Sequence, residues 1–343
     1  MKLDNQTVPL KRRIMLTGAS SGIGYQAAVR MQRAGHSLIL PCRDQATAMF
    51  TLERLEEDTA HNTTGNRIVT APVMDLSDLR SIEHCVNRLL RIGQPIDTLI
   101  LNAGLQYSGE VIAKQSTQGY ELTIAVNHLG HQALTQQLMP LLYTGNDPRV
   151  VVTASEVHNS KSPGGRFGKP SGLGNLAGLK SGAGFKMING DPIFDADKAY
   201  KDSKLCNILF ARELARRLSL VANEISVLAW APGLVIPRNE GGFFRYSRLN
   251  NVWGQRIFAL LARDLLRLSE TVDNAGYLLM KLATDQTFNR TGFSYHSNRL
   301  DGPGRHRFEE AIVSQEAQDN YLAISLWELS AELIGLSPEL TPS

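Results

Sequence analysis

The stretch that decides the fold reads Thr17-Gly-Ala-Ser-Ser-Gly-Ile-Gly24. It follows an apolar run at 14–16 and precedes a helical pattern at 25–34 that ends at Gly35. Glycines let the backbone approach a pyrophosphate, and the N–H groups that open the next helix favour negative charge. A strand, this turn and a helix in that order predict a dinucleotide site. The residues expected to contact the cofactor there are Gly18, Ser20, Ser21, Gly22 and Ile23.

Short apolar runs alternate with helical patterns along most of the chain. The further predicted strands are 37–41, 67–74, 96–101 and 150–153, and the further predicted helices are 45–59, 79–92 and 119–142. Strands that are apolar on both faces and alternate with helices indicate a parallel sheet covered on both sides. We therefore expect one α/β domain with a doubly wound parallel sheet, of the Rossmann type, over residues 12–343.

Three segments depart from this alternation. Residues 156–198 form a long insertion rich in Gly, Ser and Lys, which is typical of a functional segment, with a loose surface loop as the alternative. Residues 237–269 hold six Arg and five aromatic residues, a composition that suits either a lid over a large apolar substrate or a helix on an anionic membrane, with an ordinary packed helix as the third reading. Residues 306–336 are expected to form a C-terminal helical segment.

Composition excludes several classes of protein. The 343 residues carry a net charge of +3, which is too small to indicate a nucleic-acid partner. No apolar run approaches the roughly 20 residues of a membrane-spanning helix. Cys42, Cys85 and Cys206 lack the spacing of a metal site or a disulfide framework, so we expect no metal and a reducing compartment. The predicted location is the cytoplasm, with peripheral membrane contact and homo-oligomer formation left open.

The end of the second strand predicts which dinucleotide is bound. Residues 40–44 read Leu-Pro-Cys-Arg-Asp. An acidic residue here takes the ribose 2′-hydroxyl of NAD, whereas an arginine accommodates the 2′-phosphate of NADP. Cys42 occupies the place of the acid and Arg43 follows it, while Asp44 is better suited to cap the next helix than to bind ribose. The stretch favours NADPH over NAD, with Arg43 at the phosphate.

Two later strand ends add expected cofactor contacts. Asp75 follows the third strand, where its carboxylate could reach the adenine. Asn102-Ala-Gly104 follows the fourth strand, and small residues there allow a cofactor to lie close to the backbone.

Tyr200 and Lys204 form the predicted catalytic pair. Their i, i+4 spacing places both side chains on one face of a helix. A free phenol has a pKa near 10, and a nearby ammonium group brings that pKa toward the working range. Ser155 follows the fifth strand and can donate a hydrogen bond to a substrate oxygen or to Tyr200. Both members of the pair are also expected to contact the cofactor, with Lys204 on a ribose hydroxyl.

These motifs, in this order, resemble the short-chain dehydrogenase/reductase superfamily over about residues 12–295. The resemblance implies that Asn127 supports a water relay to Lys204. His128 and His131 stand three residues apart and could suggest a metal, but no third ligand is evident and we interpret them as packing residues.

A closer resemblance is to the light-dependent protochlorophyllide reductases. Ser155 and Tyr200 are 45 residues apart, wider than in ordinary members of the superfamily. The segments that carry the resemblance are Asn127-His-Leu-Gly-His131, Asn175-Leu-Ala-Gly-Leu179, Met187-Ile-Asn-Gly190, Lys198-Ala-Tyr-Lys-Asp-Ser-Lys-Leu-Cys-Asn207 and the tail from Gln315 to Leu336. The resemblance implies NADPH-dependent reduction of the C17–C18 double bond of protochlorophyllide in the light.

Two positions depart from that family. Where it typically reads Tyr-Pro-Gly-Cys, this chain reads Ala231-Pro-Gly-Leu234. Neither Ala nor Leu can donate or accept a side-chain hydrogen bond. A light-independent carbonyl reductase for a bulky apolar substrate is therefore the alternative function. A binding protein without catalysis is a third reading, against which the complete catalytic set argues.

Overall fold

The computed structural model describes residues 10–60, 68–221, 224–236 and 268–340. An eight-stranded sheet has the order β3-β2-β1-β4-β5-β6-β7-β8, in which β1 to β7 pair in parallel and β8 is antiparallel to β7. The strands are β1 Arg13–Leu16, β2 Ser37–Ile39, β3 Val69–Thr70, β4 Thr98–Leu101, β5 Arg149–Thr153, β6 Ser226–Ala231, β7 Gly292–Gly302 and β8 Arg305–Glu310. The predicted doubly wound sheet is confirmed.

Helices cover both faces of the sheet. Those of the described residues are α1 Gly22–Arg33, α2 Gln45–Thr59, α3 Leu79–Ile92, α4 Leu122–Ile124, α5 Gly130–Tyr143, α6 Ala177–Lys180, α7 Ala196–Leu220, α8 Val272–Thr284 and α9 Asn320–Leu333. Along β5, Val150 and Val152 pack with α3, α5, α7 and α9, whereas Val151 packs with α1 and α8. Because the strands bury both faces, their sequences show almost no alternation.

Local signals define most helix ends. The predicted bounds of α2 and α3 are confirmed, since the Asp44 carboxylate caps α2 at Thr47 N and Gly93 ends α3 with φ +66°. The helix predicted over 119–142 is present from Leu122 onward, but it contains a π-helical turn at Ala125–Leu129, which lies between α4 and α5. α5 also continues through Pro140 to Tyr143.

The C-terminal part differs from the prediction at its start. Residues 305–310 form β8 rather than helix, and α9 begins only at Asn320. α9 packs against α5 and α7, with the Trp327 ring stacked 5.6 Å from that of Phe210. No helix in the part of the chain that the structure describes is long and apolar enough to cross a membrane.

The long insertion is packed rather than loose. Its buried residues Leu173, Leu176, Leu179, Phe185 and Ile188 join the core that lies under α7. The predicted lid at 237–269 lies outside the described residues except for its last two. At its base, the Glu270 N–H donates to the Leu234 carbonyl at 2.8 Å.

Candidate active site

The glycine-rich turn connects β1 to α1 at the carboxyl end of the sheet. Gly18 has φ +73°, and a Cβ there would lie 2.8 Å from the Ala103 Cα. A Cβ on Gly24 would lie 2.2 Å from the Gly18 carbonyl oxygen, whereas one on Gly22 would meet no atom within 4 Å. The turn is therefore tightly packed at Gly18 and Gly24 and open at Gly22. At the open side, the amide groups at the start of α1 can bind a phosphate. This shape fits the dinucleotide predicted from the sequence.

Thr17 and Asn102 hold the turn in place. The Thr17 hydroxyl oxygen accepts from the backbone N–H groups of Asn102 at 2.9 Å and Ala103 at 3.0 Å. The Asn102 side-chain amide donates to the Thr17 carbonyl at 3.2 Å, and its oxygen accepts from Thr153 at 3.3 Å. Asn102 thus supports the turn from beneath.

The half-exposed side chain at the end of β2 is that of Arg43. The Cys42 thiol is buried against Thr51, and the Asp44 carboxylate accepts from Thr47 N at 2.7 Å. Hydrogen bonds from Thr47, with a further one from Arg43, lower the pKa of Asp44 to about 2. Asp44 is thus committed to the helix cap, as predicted, while the Arg43 side chain stays about half exposed beside it.

Asp75 lies beyond β3, which is shorter than predicted. Its Oδ1 accepts from the Ser77 N–H at 2.8 Å and from the Ser77 hydroxyl at 2.7 Å, and the Ser81 hydroxyl accepts from the Asp75 N–H. This arrangement fixes the start of the loop into α3. Arg43 and Asp75 lie on the β2–β3 side of the turn, away from the predicted catalytic residues.

Ser155 and Tyr200 meet although 45 residues separate them. Ser155 directly follows β5, and Tyr200 lies on α7, whose first turn is capped by Asp195. Burial raises the pKa of Tyr200 above its usual value, and its hydrogen bond with Ser155 works in the opposite direction. The phenol is therefore protonated at neutral pH, the state that a proton donor needs.

Lys204 lies one helical turn after Tyr200. Its Nζ is 5.7 Å from the centre of the Tyr200 ring and donates to the Thr153 carbonyl at 3.0 Å. Burial lowers the pKa of Lys204 to about 7, so near neutral pH its ammonium form can give up a proton and its amine form can take one. Ser155, rather than Lys204 as the sequence suggested, is the neighbour that lowers the Tyr200 pKa.

Asn127 links the π-helical turn to the loop after β4 and to α7. Its side-chain oxygen accepts from the Leu105 N–H at 2.9 Å, and its amide donates to the Leu105 carbonyl at 3.1 Å and to the Ser203 hydroxyl at 2.9 Å. A Cβ on Gly104 would lie 3.3 Å from the Asn127 Oδ1 and 3.6 Å from the Lys204 Nζ. Asn127 and Lys204 therefore face the same small space, consistent with the implied relay between them.

The two histidines make side-chain hydrogen bonds in the core. The His131 Nδ1 is 3.1 Å from the Asn127 carbonyl, and its Nε2 is 3.0 Å from the Thr17 hydroxyl. Because a carbonyl only accepts, Nδ1 carries the proton and Nε2 accepts from Thr17. Burial lowers the pKa of His131 to about 3, and that of His128, which contacts Ser330, also to about 3. Their neutral, buried state agrees with the packing role that the sequence favoured.

Within the described ranges, no three His, Cys, Asp or Glu side chains form a group that could hold a metal ion.

Sequence reasoning missed that His131 links the cofactor turn to Asn127. It also missed Glu156, whose carboxylate accepts from the Ser297 hydroxyl at 2.6 Å beside the end of β6. Spacing gives no signal for either contact, since both depend on how distant segments pack.

The two positions that depart from the protochlorophyllide reductases lie at the same edge of the sheet. Ala231 ends β6, is fully buried and pairs with Ser297 of β7. Leu234 follows the Pro-Gly turn and is 38% exposed. An exposed apolar side chain thus stands where that family carries a thiol.

The short chain dehydrogenase family matches residues 12–166 of the chain. Protochlorophyllide reductase A, chloroplastic, of Oryza sativa subsp. japonica is 31% identical over 335 residues, which cover 94% of this chain and 80% of the rice protein. The enzyme of the same name from Hordeum vulgare is 30% identical over 331 residues and covers the same shares.

Solved structures resemble most of the chain. A putative uncharacterized protein from Mycobacterium paratuberculosis has a TM-score of 0.65 at 26% identity, with 97% of this chain and 96% of that one covered. L-sorbose reductase from Gluconobacter frateurii, complexed with NADPH and L-sorbose, has a TM-score of 0.61 at 14% identity and covers 86% of this chain and 97% of its own.

Proposed function

Because this chain belongs to the short-chain dehydrogenase family and, within it, to the family of the protochlorophyllide reductases, we propose that it reduces the C17–C18 double bond of protochlorophyllide to give chlorophyllide. It is an oxidoreductase of the short-chain dehydrogenase type that uses NADPH and acts on a small molecule. The observation that carries the specific reaction is the meeting of Ser155 and Tyr200 across a long insertion, beside Lys204.

Each residue of the site has a proposed part in the reaction. NADPH supplies the hydride when bound, which joins one carbon of the double bond, and light excites the pigment. Tyr200 donates its phenolic proton to the other carbon, and the Ser155 hydroxyl stabilises the phenolate that remains. Lys204, whose pKa is about 7, then returns a proton to Tyr200. The turn at Gly18 to Ile23 holds the phosphates.

Light dependence is the test of this reaction. We expect a flash given to the protein with saturating NADPH and bound protochlorophyllide to produce the absorbance of chlorophyllide slowly, because Tyr200 can supply a proton without the family's Cys. Leu234→Cys should convert the pigment faster, since it restores a thiol at the edge of the site. Absorbance before and after the flash, beside a dark sample, measures both.

The control for that variant is Leu10→Cys. Leu10 is also 38% exposed but precedes β1 at the opposite end of the strands. It should leave the conversion rate unchanged. If wild type and Leu234→Cys both bind the pigment and neither yields chlorophyllide after illumination, the proposed reaction is wrong.

Ala231 and Leu234 favour a second candidate, the light-independent reduction of a bulky apolar aldehyde or ketone. In that reaction hydride joins the carbonyl carbon and Tyr200 protonates the oxygen, giving an alcohol. Ser155, Tyr200 and Lys204 can serve both reactions. Ala231 and Leu234 have no polar side-chain group that could bind the pigment. NADPH oxidation in the dark with a bulky aldehyde, and no product from the flash, would support this candidate over the first.

Arg43 is proposed to bind the 2′-phosphate of NADPH. Arg43→Asp should raise the dissociation constant for NADPH about tenfold and lower that for NADH, because a charge-assisted contact is replaced by repulsion. Fluorescence titration with both dinucleotides measures the effect. Arg91→Asp, on the exposed end of α3, is the matched control and should change neither constant. Equal affinity of wild type for NADH and NADPH would contradict the role of Arg43.

The remaining expectations stay proposals. These are the single-domain division with its insertion, lid and C-terminal segment, the peripheral membrane contact, the homo-oligomer and the cytoplasmic location. The rice relative carries the word chloroplastic in its name, which differs from the cytoplasmic location expected from the sequence.

A further inference from the structure

The catalytic helix α7 also holds the insertion, through a lysine that directly follows Tyr200. The Lys201 side chain is buried, and its Nζ donates to the backbone carbonyls of Gly165 at 3.2 Å, Lys169 at 2.9 Å and Phe167. An ammonium group has three N–H donors, and this loop supplies an acceptor for each of them. The carbonyls of 165–169 thus turn inward around one charge, and Phe167 points its ring into solvent at 79% exposure.

A second contact fastens the next part of the insertion to the same helix. The Lys198 Nζ donates to the Asp202 carboxylate at 2.6 Å and to the Gly172 carbonyl at 2.8 Å. The other carboxylate oxygen of Asp202 accepts from the Gly172 N–H at 2.9 Å. Gly172 therefore has both of its backbone polar groups bound by side chains of α7, on either side of Tyr200 in the sequence.

The returning part of the insertion packs beside the expected cofactor site. Met187 and Phe194 lie in one buried cluster with Leu105, which follows Gly104. The Phe194 ring stacks on that of Tyr107 at 5.5 Å. The insertion therefore begins at the residue after Ser155, is fastened to α7, and returns past the loop after β4 before it enters α7.

We propose that Lys201 and the Lys198–Asp202 pair are positioning residues. They hold the insertion as one wall of the substrate site, at a fixed position relative to Tyr200. The inference rests on the proposed function, because it assigns the substrate to the space beside Tyr200. It goes beyond that function by assigning a role to the three charged residues near Tyr200 in the sequence whose side chains hydrogen-bond to the insertion.

The ammonium group of Lys201 fixes this part of the insertion through its three hydrogen bonds to backbone carbonyls. A methionine at this position has nearly the same length but no donor, so three inward carbonyls would lose their partners. Buried carbonyl groups without partners are unfavourable, and the loop would turn them toward water. The cofactor turn rests on β1, β4 and Thr17 instead, so its shape should not change.

The test compares Lys201→Met with Lys180→Met, an exposed lysine at the end of α6 in the same insertion. Lys201→Met should raise the KM for protochlorophyllide, or for the bulky aldehyde, about tenfold or more, since small misplacements of a substrate are costly. The NADPH dissociation constant should stay within about twofold, as expected for a site built from other segments. Trypsin should cut faster after Arg166, which Phe167 follows, while Lys180→Met leaves all three measurements unchanged.

Asp202→Asn provides a second variant that keeps the size of the side chain and removes the ion pair with Lys198. It should shift the KM and the trypsin cleavage after Arg166 in the same direction, so the inference stays testable if Lys201→Met does not fold. Faster cleavage with an unchanged KM would overturn the positioning role, because the loop would then be fastened without shaping the site. Unchanged cleavage in both folded variants would overturn the proposal as a whole.

The protease measurement separates this inference from the proposed function. If the wild type converts neither protochlorophyllide nor aldehydes, the proposed function fails. Faster cleavage in Lys201→Met and Asp202→Asn, beside an unchanged Lys180→Met, would still support the fastening of the insertion to α7. A protein that is active but shows no change in KM would instead contradict the positioning role alone.

Discussion

Replacing Tyr200 with Phe should lower kcat by about 10²–10⁴, the usual contribution of a positioned general acid. The substitution removes one hydroxyl and leaves the ring, so the packing of α7 is retained. In the wild type, burial keeps the phenol protonated and Ser155 bonds to it. The NADPH dissociation constant should change little by comparison, because the turn between β1 and α1 carries most of the expected phosphate contacts.

The control for this substitution is Tyr321→Phe on α9. Tyr321 is 84% exposed near the start of α9, far from Tyr200 in the sequence, so the loss of its hydroxyl should not affect turnover. Steady-state rates, NADPH titration and thermal melting of all three proteins separate lost chemistry from lost folding. A Tyr200→Phe protein that keeps a rate near that of wild type would show that the proton comes from water or another group.

The parts of the site that sequence could predict are those carried by local rules. The turn between β1 and α1 contains spaced glycines, which its backbone conformation and close contacts require. Helix geometry places Tyr200 and Lys204 on one face because they are four residues apart. Asp44 was expected to cap α2 because Asp before a helical pattern accepts backbone N–H groups, and it does so at Thr47. In each case the deciding contact lies within a few residues.

The parts that could not be predicted depend on long-range contacts. The carbonyls around Lys201 come from residues more than 30 positions earlier, and backbone acceptors leave no mark in the sequence. The Ala-Val-Asn-His-Leu sequence of the π-helical turn at Ala125–Leu129 does not distinguish it from an α-helical turn, and the contacts of Asn127 with Leu105 and of His131 with Thr17 involve distant segments. The sequence does not reveal β8 as a strand, because an edge strand with largely polar residues shows little apolar alternation.

Substituting Gly24 with Ala should raise the dissociation constant for NADPH about 10–100-fold, in line with the roughly 1–3 kcal/mol that overpacking costs. The added Cβ would lie 2.2 Å from the Gly18 carbonyl oxygen and 2.7 Å from the Asn102 side-chain nitrogen. No rotamer change can relieve a contact between a Cβ and a backbone oxygen, so the turn itself must move. The gain in helix propensity from Gly to Ala is at most about 1 kcal/mol and does not offset this clash.

Gly172→Ala is the matched control for that substitution. A Cβ at Gly172 would meet no atom within 4 Å, and its backbone does not require a glycine conformation. Fluorescence titration should therefore give a wild-type NADPH constant for Gly172→Ala and a much weaker one for Gly24→Ala, with Tyr200 intact in both. The maximal rate of Gly24→Ala at saturating NADPH should recover toward that of wild type, because the residues that move the proton lie on α7 and β5. If Gly24→Ala binds NADPH as tightly as Gly172→Ala does, the dinucleotide does not rest on this turn and the assignment of the cofactor site is wrong.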